Sequence, residues 1–600
     1  MEGTKPHDRQ RAMTRSAPDS GATAYLKFLR RFLAAWLLLA GVLALPAETH
    51  RIPSRLRIGV IQMALGRTIA ENCDRIAAGI SNAAARGARV AVFPEGALRG
   101  LDGDQPARVE KAVAEIGQAA TRAQIYVLFG GSSYSARARR DVNWMRVIDP
   151  SGREVFRYEK LYDNHRAPMP GVFFLDGIPC NAMICADRWL RGVEEIPIQQ
   201  GAQLSFELSC NFASEWVQPF GWYWYVPRAL RNNVWVIFAN TGNRVAGAPD
   251  DPSAPRELRH GHSVVIAPDG RVVAAANDDA ETIVIADLEI GQATRATALA
   301  RATHPVLRPF WETGLKIQSG QRVQTPALTP LTSVETNITL AVAQVAGDLA
   351  AMEAMIQEGG AQGADLIAFP ALAIAETALE RLQAAACASR VTLVAGMEHR
   401  VAGRRRSSAF VIGPDGSLLT RYDQLWAASP FEAGRNPGAM WFRVKGVPAV
   451  VTIGQDALWT ELAELAAVAG AQIHVHLDHD AVDNPEAALR RLQVASNLAS
   501  FRTFTAVANV VGSAIWDDLR DADERRAEVR GLARPDTEPV EVYSPFSANL
   551  VLRAGANPGL ILATRRVRSI NSYHPTRTSN MNPQMDPWYR LGASIISGEL

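Results

Sequence analysis

Three residues in the first half of the chain are of types that together could carry out nucleophilic catalysis. Glu95 lies in VAVFPEGAL, Lys160 in VFRYEKLYD and Cys185 in NAMICADRW. A thiol becomes a strong nucleophile once it is deprotonated, and a nearby carboxylate can accept its proton. A lysine ammonium can stabilise the oxyanion that forms when a thiolate attacks a carbonyl carbon, with the Ala186 backbone N–H as a candidate second donor. These residues are therefore candidates for the general base, the oxyanion stabiliser and the nucleophile.

The second half of the chain repeats the same segments without the reactive groups. LIAFPALAI, LLTRYDQLW and VVTIGQDALW match the three segments above, so that Ala371 replaces the glutamate, Gln424 the lysine and Gly454 the cysteine. None of these replacements can perform the chemistry of the group it replaces. We therefore predict that the first half is catalytic and that the second half is an inactive copy.

The repeat extends beyond the reactive residues. LRIGVIQMA at 56–64 matches ITLAVAQVA at 338–346. Asn240 and Asn509 end another matching pair of strand-like segments, and they are 269 positions apart, as the cysteine is from its glycine counterpart. A constant offset over several elements indicates a duplicated domain.

The order of elements within each copy predicts the fold class. Short Val- and Ile-rich runs alternate with longer helical patterns, and Pro-x-Gly turns at 150–152, 268–270 and 414–416 are typical of hairpins. This mixture favours a layered α/β fold in which sheets are buried against helices.

Five segments follow from these patterns. We predict a polar leader with a hydrophobic stretch at 1–50, a catalytic domain at 55–300, a linker at 301–336, a degenerate domain at 337–565 and a tail at 566–600. The linker is rich in proline and shows little periodicity. The tail is polar, and we expect it to lie over the surface rather than in the core.

The three motifs resemble the carbon–nitrogen hydrolase (nitrilase) superfamily. Glu in an FPE context, Lys in Y-x-K after a P-x-G turn, and Cys in I-C-x-D occur in the family's order, completely in 57–300 and in degenerate form in 337–565. Other features that resemble the family are Asn143, Arg228, Ala229, Asn232 and Asn240. The resemblance implies an α-β-β-α sandwich for each copy, and it implies that the two copies pack as an intramolecular pseudo-dimer.

The resemblance also implies an activity. It points to a thiol-dependent amidohydrolase that cleaves a non-peptide carbon–nitrogen bond of a small amide through a thioester at Cys185, without a metal or another cofactor. Three alternatives stay open, namely an N-acyltransferase of the apolipoprotein type, a nitrile hydrolase and a non-catalytic binding protein. The membrane domain of several helices that the acyltransferase branch carries has no counterpart in this sequence.

Two departures from the family pattern stand out. The family carries a second glutamate between the lysine and the cysteine, and the first half has none there, which leaves Asp163, His165 and Asp176 as possible substitutes. The second half does hold a glutamate in this loop, Glu432. In addition, Arg231 stands where the family has an acidic residue.

Composition limits the other functions of the chain. Its 600 residues are 48% hydrophobic, and 63 Lys and Arg nearly balance 61 Asp and Glu. Because the charges nearly balance and the sequence has no phosphate-binding loop, we expect no nucleic-acid partner. Further homo-oligomerisation stays open. His474 and His476 in HVHLDHD suggest a metal site, although a polar strand end is the preferred interpretation.

The N-terminus indicates membrane targeting. The apolar run at 32–47 follows Arg30 and Arg31 and is about 24 Å long as a helix, short for a membrane span. A cleaved export signal and an uncleaved anchor both fit this pattern. We therefore expect the catalytic part to be exported or anchored at the cytoplasmic membrane, outside the cytoplasm, with residues 32–47 in the membrane if they are not removed.

Overall fold

The computed structural model describes most of the chain beyond residue 51. The described residues are 52–100, 105–135, 139–162, 167–211, 216, 221–242, 259–279, 281–324, 326–345, 347–479, 485–517, 530–531, 549–571 and 585–598. The predicted hydrophobic stretch at 32–47 lies outside them. The described residues from Pro53 onward belong to one compact unit. Within the described ranges, no helix is both long enough and apolar enough to cross a membrane.

In the described residues of the first half, twelve strands form two six-stranded sheets. The strands are β1 (Arg55–Gln62), β2 (Val90–Val92), β3 (Tyr126–Ser135), β4 (Arg140–Ile148), β5 (Glu154–Glu159), β6 (Phe173–Leu175), β7 (Ile178–Ile184), β8 (Leu204–Ser209), β9 (Trp235–Asn240), β10 (Val264–Ile266), β11 (Val272–Ala275) and β12 (Thr282–Glu289). One sheet has the order β12-β1-β2-β3-β4-β5, and the other has the order β11-β10-β9-β8-β7-β6. The hairpins predicted at 150–152 and 268–270 are confirmed, since β4 pairs with β5 and β10 with β11 in antiparallel register.

The strands of the second half also form two sheets. The strands are β13 (Thr336–Gln344), β14 (Leu366–Ala368), β15 (Ile374–Ala375), β16 (Thr392–Val401), β17 (Arg404–Ile412), β18 (Leu418–Asp423), β19 (Trp441–Val444), β20 (Val447–Ile453), β21 (Ile473–Leu477), β22 (Phe504–Ala508), β23 (Ala514–Asp517), β24 (Arg530–Gly531), β25 (Asn549–Arg553) and β26 (Gly559–Val567). Their orders are β18-β17-β16-β14-β13-β26-β24 and β19-β20-β21-β22-β23-β25, with β15 paired to β16. Apart from β15 and β24, these orders match those of the first half strand for strand.

Helices cover the sheets. They are α1 (Ile69–Ala85), α2 (Pro106–Ala123), α3 (Arg191–Gln199), α4 (Tyr225–Asn232), α5 (Ala296–Thr303), α6 (Arg308–Gln318), α7 (Leu349–Ala361), α8 (Leu379–Ser389), α9 (Thr460–Ala469), α10 (Pro485–Ala499) and α11 (Asp586–Ser597). Short 3-10 helices occupy Cys185–Trp189, Ile290–Gln292, Glu376–Ala378, Pro437–Met440 and Gly454–Leu458. The mixed α/β fold class predicted from the sequence is confirmed.

Local sequence explains how the first of these helices begins and which face it buries. The Thr68 hydroxyl accepts a hydrogen bond from the Glu71 N–H, and the Glu71 carboxylate accepts one from the Arg67 N–H, an exchange similar to a capping box. Residues three or four apart then form one apolar face: Ile69, Cys73, Ile76, Ile80 and Ala83. This face packs on the sheet in a core that α1 shares with α2.

Two buried glutamines tie the paired sheets together in the same way in both halves. Gln62 at the end of β1 accepts a hydrogen bond from the Ser263 N–H at 3.0 Å. Gln344 at the end of β13 accepts one from the Ser513 N–H, also at 3.0 Å. The Gln62 side-chain amide donates to backbone carbonyls in the connection between β11 and β12, and the Gln344 side-chain amide donates to those between β25 and β26. The halves thus share an internal polar contact as well as their strand order.

The two halves pack on each other through helices. Tyr225 and Ala229 of α4 belong to one apolar cluster with Ala495 and Ala499 of α10. The aromatic run Tyr223–Tyr225 therefore contributes to packing between the halves.

Two sequence predictions about the ends of the halves are wrong in part. The predicted linker contains α6, whose Phe310 and Trp311 are fully buried. The predicted surface tail contains α11, where Trp588 is fully buried and its indole N–H donates to the Phe310 carbonyl at 2.6 Å. Both segments are core elements, because each places large aromatic side chains on one helical face.

Candidate active site

Glu95 lies directly after β2 and is held there by the neighbouring strand β3. The Phe93 N–H donates to the Leu128 carbonyl, and the Leu98 N–H donates to the Gly130 carbonyl. A Cβ atom at Gly130 would lie 2.9 Å from the Glu95 Cα, so this position tolerates no side chain without a shift of the backbone. The glycine allows the segment that carries the carboxylate to lie close against the sheet.

Glu95, Lys160 and Asn143 are in direct contact. The Lys160 Nζ lies 2.6 Å from the Glu95 Oε1, and both side chains are only 9% exposed. The Asn143 side-chain amide donates to the same carboxylate oxygen at 2.5 Å. Two residues named from the sequence, 65 positions apart, therefore form a buried ion pair that a third, Asn143, orients.

Cys185 lies where β7 ends and a 3-10 helix begins. Its backbone is left-handed, with φ +46°, a conformation that is uncommon for a residue with a side chain. Such strain is found at functional positions in proteins more often than elsewhere. Ala186, the candidate second oxyanion donor, is the next residue of the 3-10 helix Cys185–Trp189 and is half-buried.

Asp187 connects the cysteine segment to the lysine segment. Its carboxylate accepts hydrogen bonds from the Leu161 N–H at 3.2 Å, the Tyr162 N–H at 2.8 Å and the Tyr158 hydroxyl at 3.3 Å. Because these groups flank Lys160 while Asp187 lies two residues after Cys185, the bonds bring the two segments to one place. The aspartate of the I-C-x-D motif thus positions the site.

Arg188 contacts the thiol and is a site residue that the sequence analysis missed. Its Nη2 lies 3.4 Å from the Cys185 Sγ and 2.7 Å from the Asn211 Oδ1. Asn211 in turn accepts from the thiol at 3.4 Å, and the Tyr225 hydroxyl accepts from Arg188 at 3.1 Å. A guanidinium at this distance stabilises negative charge on the sulfur.

A second thiol, Cys210, lies close to the same charges. Burial raises the pKa of the Cys210 thiol, with Glu95 raising it further and Arg259 and Lys160 lowering it. A thiol with a raised pKa is a poor nucleophile. The contact with Arg188 therefore favours Cys185 over Cys210 as the reactive thiol.

A chain of buried charges begins behind Arg188. Glu207 lies 3.2 Å from Arg188 and also pairs with Arg228, which pairs with Glu194 at 2.7 Å. Arg231 pairs with Glu194 at 3.1 Å. The arginine that departs from the family pattern is therefore matched by carboxylates of the adjacent helix.

The chain of charges continues into the second half. Glu195 pairs with Arg191 at 3.1 Å and with Arg301 at 3.2 Å. Arg301 pairs with Glu461 of α9 at 3.1 Å, and Arg191 pairs with Glu464 of the same helix. Burial opposes ionisation of Glu195, but Arg191 and Arg301 outweigh it and lower its pKa to about 2. Five arginines thus face five glutamates, two of which come from the second half.

Of the three candidate substitutes for the missing glutamate, the structure describes only Asp176. Asp176 pairs with Arg89 at 2.6 Å and accepts a hydrogen bond from the Tyr126 hydroxyl. Its carboxylate is therefore held at a structural contact, with no contact to Glu95 or Lys160 among the described residues. Asp163 and His165 lie outside the described residues.

The matching place in the second half keeps the scaffold and lacks the reactive groups. Asp456 accepts from the Leu425 and Trp426 N–H groups and from the Tyr422 hydroxyl, as Asp187 does in the first half. Burial raises the pKa of Asp456 to about 6, partly offset by these hydrogen bonds. Gly454 has φ +52°, close to the value at Cys185.

The suggested histidine metal site is a polar contact in the structure. The Thr452 hydroxyl lies 2.7 Å from the His474 Nε2 and 3.0 Å from the His476 Nδ1. Burial lowers the pKa of His474 to about 3 and that of His476 to about 4, so both are neutral at pH 7. In the part of the chain that the structure describes, no group of three or more His, Cys, Asp and Glu side chains could hold a metal ion.

Comparison with known proteins defines the class of the first half. Residues 57–298 match the family model of carbon-nitrogen hydrolases. This part of the chain belongs to the carbon–nitrogen hydrolase family, and the protein is a carbon–nitrogen hydrolase enzyme. A search of the curated proteins found no match.

Solved structures of an amidase from Nesterenkonia sp. AN1 are similar to this chain at low identity. A double mutant in complex with acrylamide is 17% identical, with 42% of this chain and 97% of that chain covered and a TM-score of 0.33. A mutant in complex with butyramide is 18% identical, with 42% and 99% covered and a TM-score of 0.34. A third, showing covalent addition of the acetamide moiety of fluoroacetamide at the active site cysteine, is 18% identical, with 42% and 98% covered and a TM-score of 0.34.

Proposed function

We propose that the first half hydrolyses the amide bond of a small molecule through a thioester on Cys185, with Glu95 as general base and Lys160 as oxyanion stabiliser. The observation that carries this proposal is the buried Glu95–Lys160 pair at 2.6 Å, tied through Asp187 to the strained cysteine. For a thiol in the segment that Asp187 ties to Lys160, the buried carboxylate would supply a proton acceptor and the ammonium a fixed positive charge.

The first half of the reaction forms the thioester. Glu95 accepts the thiol proton as the Cys185 sulfur attacks the carbonyl carbon, and the carbonyl oxygen becomes an oxyanion. Lys160 and the Ala186 N–H stabilise this charge. The carbon–nitrogen bond then breaks as Glu95 returns the proton to the leaving amine, which leaves an acyl group on the sulfur.

The second half of the reaction restores the enzyme. Glu95 takes a proton from water, and the hydroxide attacks the thioester carbon. The carbon–sulfur bond breaks, the sulfur recovers the proton from Glu95, and a carboxylic acid leaves. Arg188 favours both the formation of the thiolate before attack and the departure of the sulfur from the thioester, because its guanidinium stabilises the thiolate.

Trapping the acyl group tests this proposal. Intact protein incubated with a panel of small amides should gain the mass of one acyl group, and fragmentation should place that group on Cys185. Cys185→Ala and Cys185→Ser should abolish both the adduct and turnover. Cys387→Ala changes an exposed thiol of the second half and should leave both unchanged. Turnover that persists in Cys185→Ala would end the thiol mechanism.

A further inference from the structure

The second half contains a cavity at the place that corresponds to the active site. Its volume is about 580 Å³, and Ala371, Gln424 and Gly454 all line it. This volume is within the range of small-molecule binding sites, which is roughly 300–1,000 Å³. We propose that this cavity binds a small monocarboxylate with an apolar body. The inference goes beyond the proposed function, since such binding needs no turnover in the first half.

Arginine side chains give the cavity its charge. Among the described residues, Arg490, Arg491 and Arg553 line it with one carboxylate, Asp478. Arg491 lies 3.9 Å from Asp478, so two further guanidinium groups line the cavity, and that of Arg490 has its carboxylate partner outside it. An anion therefore finds a favourable field there, and a cation does not.

Arg553 is the cation most available to a ligand. Arg490 pairs with Glu486 at 2.8 Å at the surface. Arg553 is half-buried, and its guanidinium has no hydrogen-bond or ion-pair partner among the described residues, although its backbone pairs with Ala514 in the sheet. A half-buried guanidinium without a carboxylate favours a bound carboxylate, which it can bind with two parallel hydrogen bonds.

The rest of the wall is largely apolar and sets the shape of the ligand. The apolar side chains include Leu372, Phe431, Leu458, Leu492, Val494 and Val507. Replacement of the glutamate by Ala371 and of the cysteine by Gly454 removes two polar groups that line the matching site. A hydrocarbon chain on the carboxylate would bury apolar surface against this wall, so octanoate is a suitable probe.

Calorimetry on the full chain carrying Cys185→Ala tests the site without turnover. Octanoate should bind, and Arg553→Gln should weaken its affinity about tenfold through the loss of one charge-assisted contact. Arg553→Lys should retain part of the affinity. Arg381→Gln removes an arginine that pairs with Glu353 outside the cavity, and it should leave the affinity for octanoate unchanged.

A second measurement needs no substitution in the cavity. Octanoate should raise the Tm of the chain, because a ligand that binds only the folded state stabilises it. 1-Octanol has the same chain without the charge or an amide bond and should give a much smaller shift. Equal shifts for the two compounds, or octanoate binding that is unaffected by Arg553→Gln, would overturn the proposal. Hydrolysis by the first half can fail without affecting either result.

Discussion

The Arg301 guanidinium of the first half lies 3.1 Å from the Glu461 carboxylate of the second, and both side chains are fully buried. The same guanidinium pairs with Glu195, which belongs to the chain of charges that extends to Arg188 beside Cys185, the proposed nucleophile. A buried charge without its partner is strongly unfavourable. The second half therefore supplies carboxylates that balance buried arginines of the first half.

We expect Glu461→Ala to lower the free energy of unfolding by about 3–5 kcal/mol, because Arg301 then keeps only Glu195 and the buried cluster is left with five arginines and four glutamates. Urea unfolding measures this change. Glu353→Ala is the matched control, since this partly exposed glutamate of the second half pairs with an exposed arginine, and an exposed pair contributes only ~0–1 kcal/mol. Equal losses for the two variants would contradict the importance of the buried pair.

Lys160→Gln gives the first half the residue found in the second half. We expect kcat to fall by ~10²–10³, the usual effect of removing one oxyanion donor, with a smaller change in KM. Gln424→Lys in the second half should neither raise nor lower turnover, and restoring Glu, Lys and Cys together at 371, 424 and 454 should not create a second active site. Steady-state kinetics checks each variant, and unchanged kcat in Lys160→Gln would exclude the proposed role.

Arg188 should control the reactivity of the thiol. We expect Arg188→Gln to slow alkylation of Cys185 by iodoacetamide roughly tenfold at pH 7, because the thiolate loses the nearby positive charge. Arg188→Lys should retain part of the rate. Arg153→Gln changes an exposed arginine and serves as the control. A rate in Arg188→Gln equal to that of the unsubstituted protein would show that the contact does not activate the thiol.

The buried histidines predict a loss of stability in mild acid. The pKa of His474 and of His476 is lowered in the folded state, so the unfolded chain binds protons first as the pH falls below about 6.5. The contribution of the two neutral histidines to the free energy of unfolding is fully present above that pH, and it is lost progressively as the pH falls toward 4. We expect the fall in Tm between pH 7 and pH 5 to be smaller by at least about 2 °C in a His474→Gln, His476→Gln double variant. His479→Gln, at an exposed position, should leave the fall unchanged.

Export of the chain stays a prediction from residues 32–47. A reporter that is fluorescent only in the cytoplasm, fused to the C-terminus, should give no signal in cells. Deleting residues 1–50 should restore the fluorescence. A bright fusion to the full chain would contradict export.

Much of this site could be predicted because its motifs are local. Glu95, Lys160 and Cys185 each lie in a short segment whose residue types indicate the chemistry, and Pro-x-Gly turns mark the hairpins. Arg188 and Glu207 could not be found in this way. Charged residues are mostly exposed, so a sequence gives no reason to expect these two to be buried. Only the folded arrangement brings Glu207 of β8 next to Arg188, which follows β7.

The prediction of a surface tail at 566–600 is wrong at the C-terminal helix for a different reason. Trp588, Tyr589 and Ile596 are buried residues of α11. Ile596 follows the two aromatic residues by eight and seven positions, a spacing that places all three toward one side of a helix. The polar residues that precede it conceal this pattern when composition alone is considered. Periodicity over 585–598 would have indicated a core helix.

Cys185 and Gly454 share a left-handed backbone, and this places stability and reactivity in competition at one position. A side chain in that conformation is strained by about 1–3 kcal/mol, whereas glycine adopts it freely. The half that has Cys185 at this turn must therefore hold its backbone in place through other contacts, among them those of Asp187 and Arg188. The other half has glycine, the relaxed residue, at the matching turn, and the chain contains both solutions.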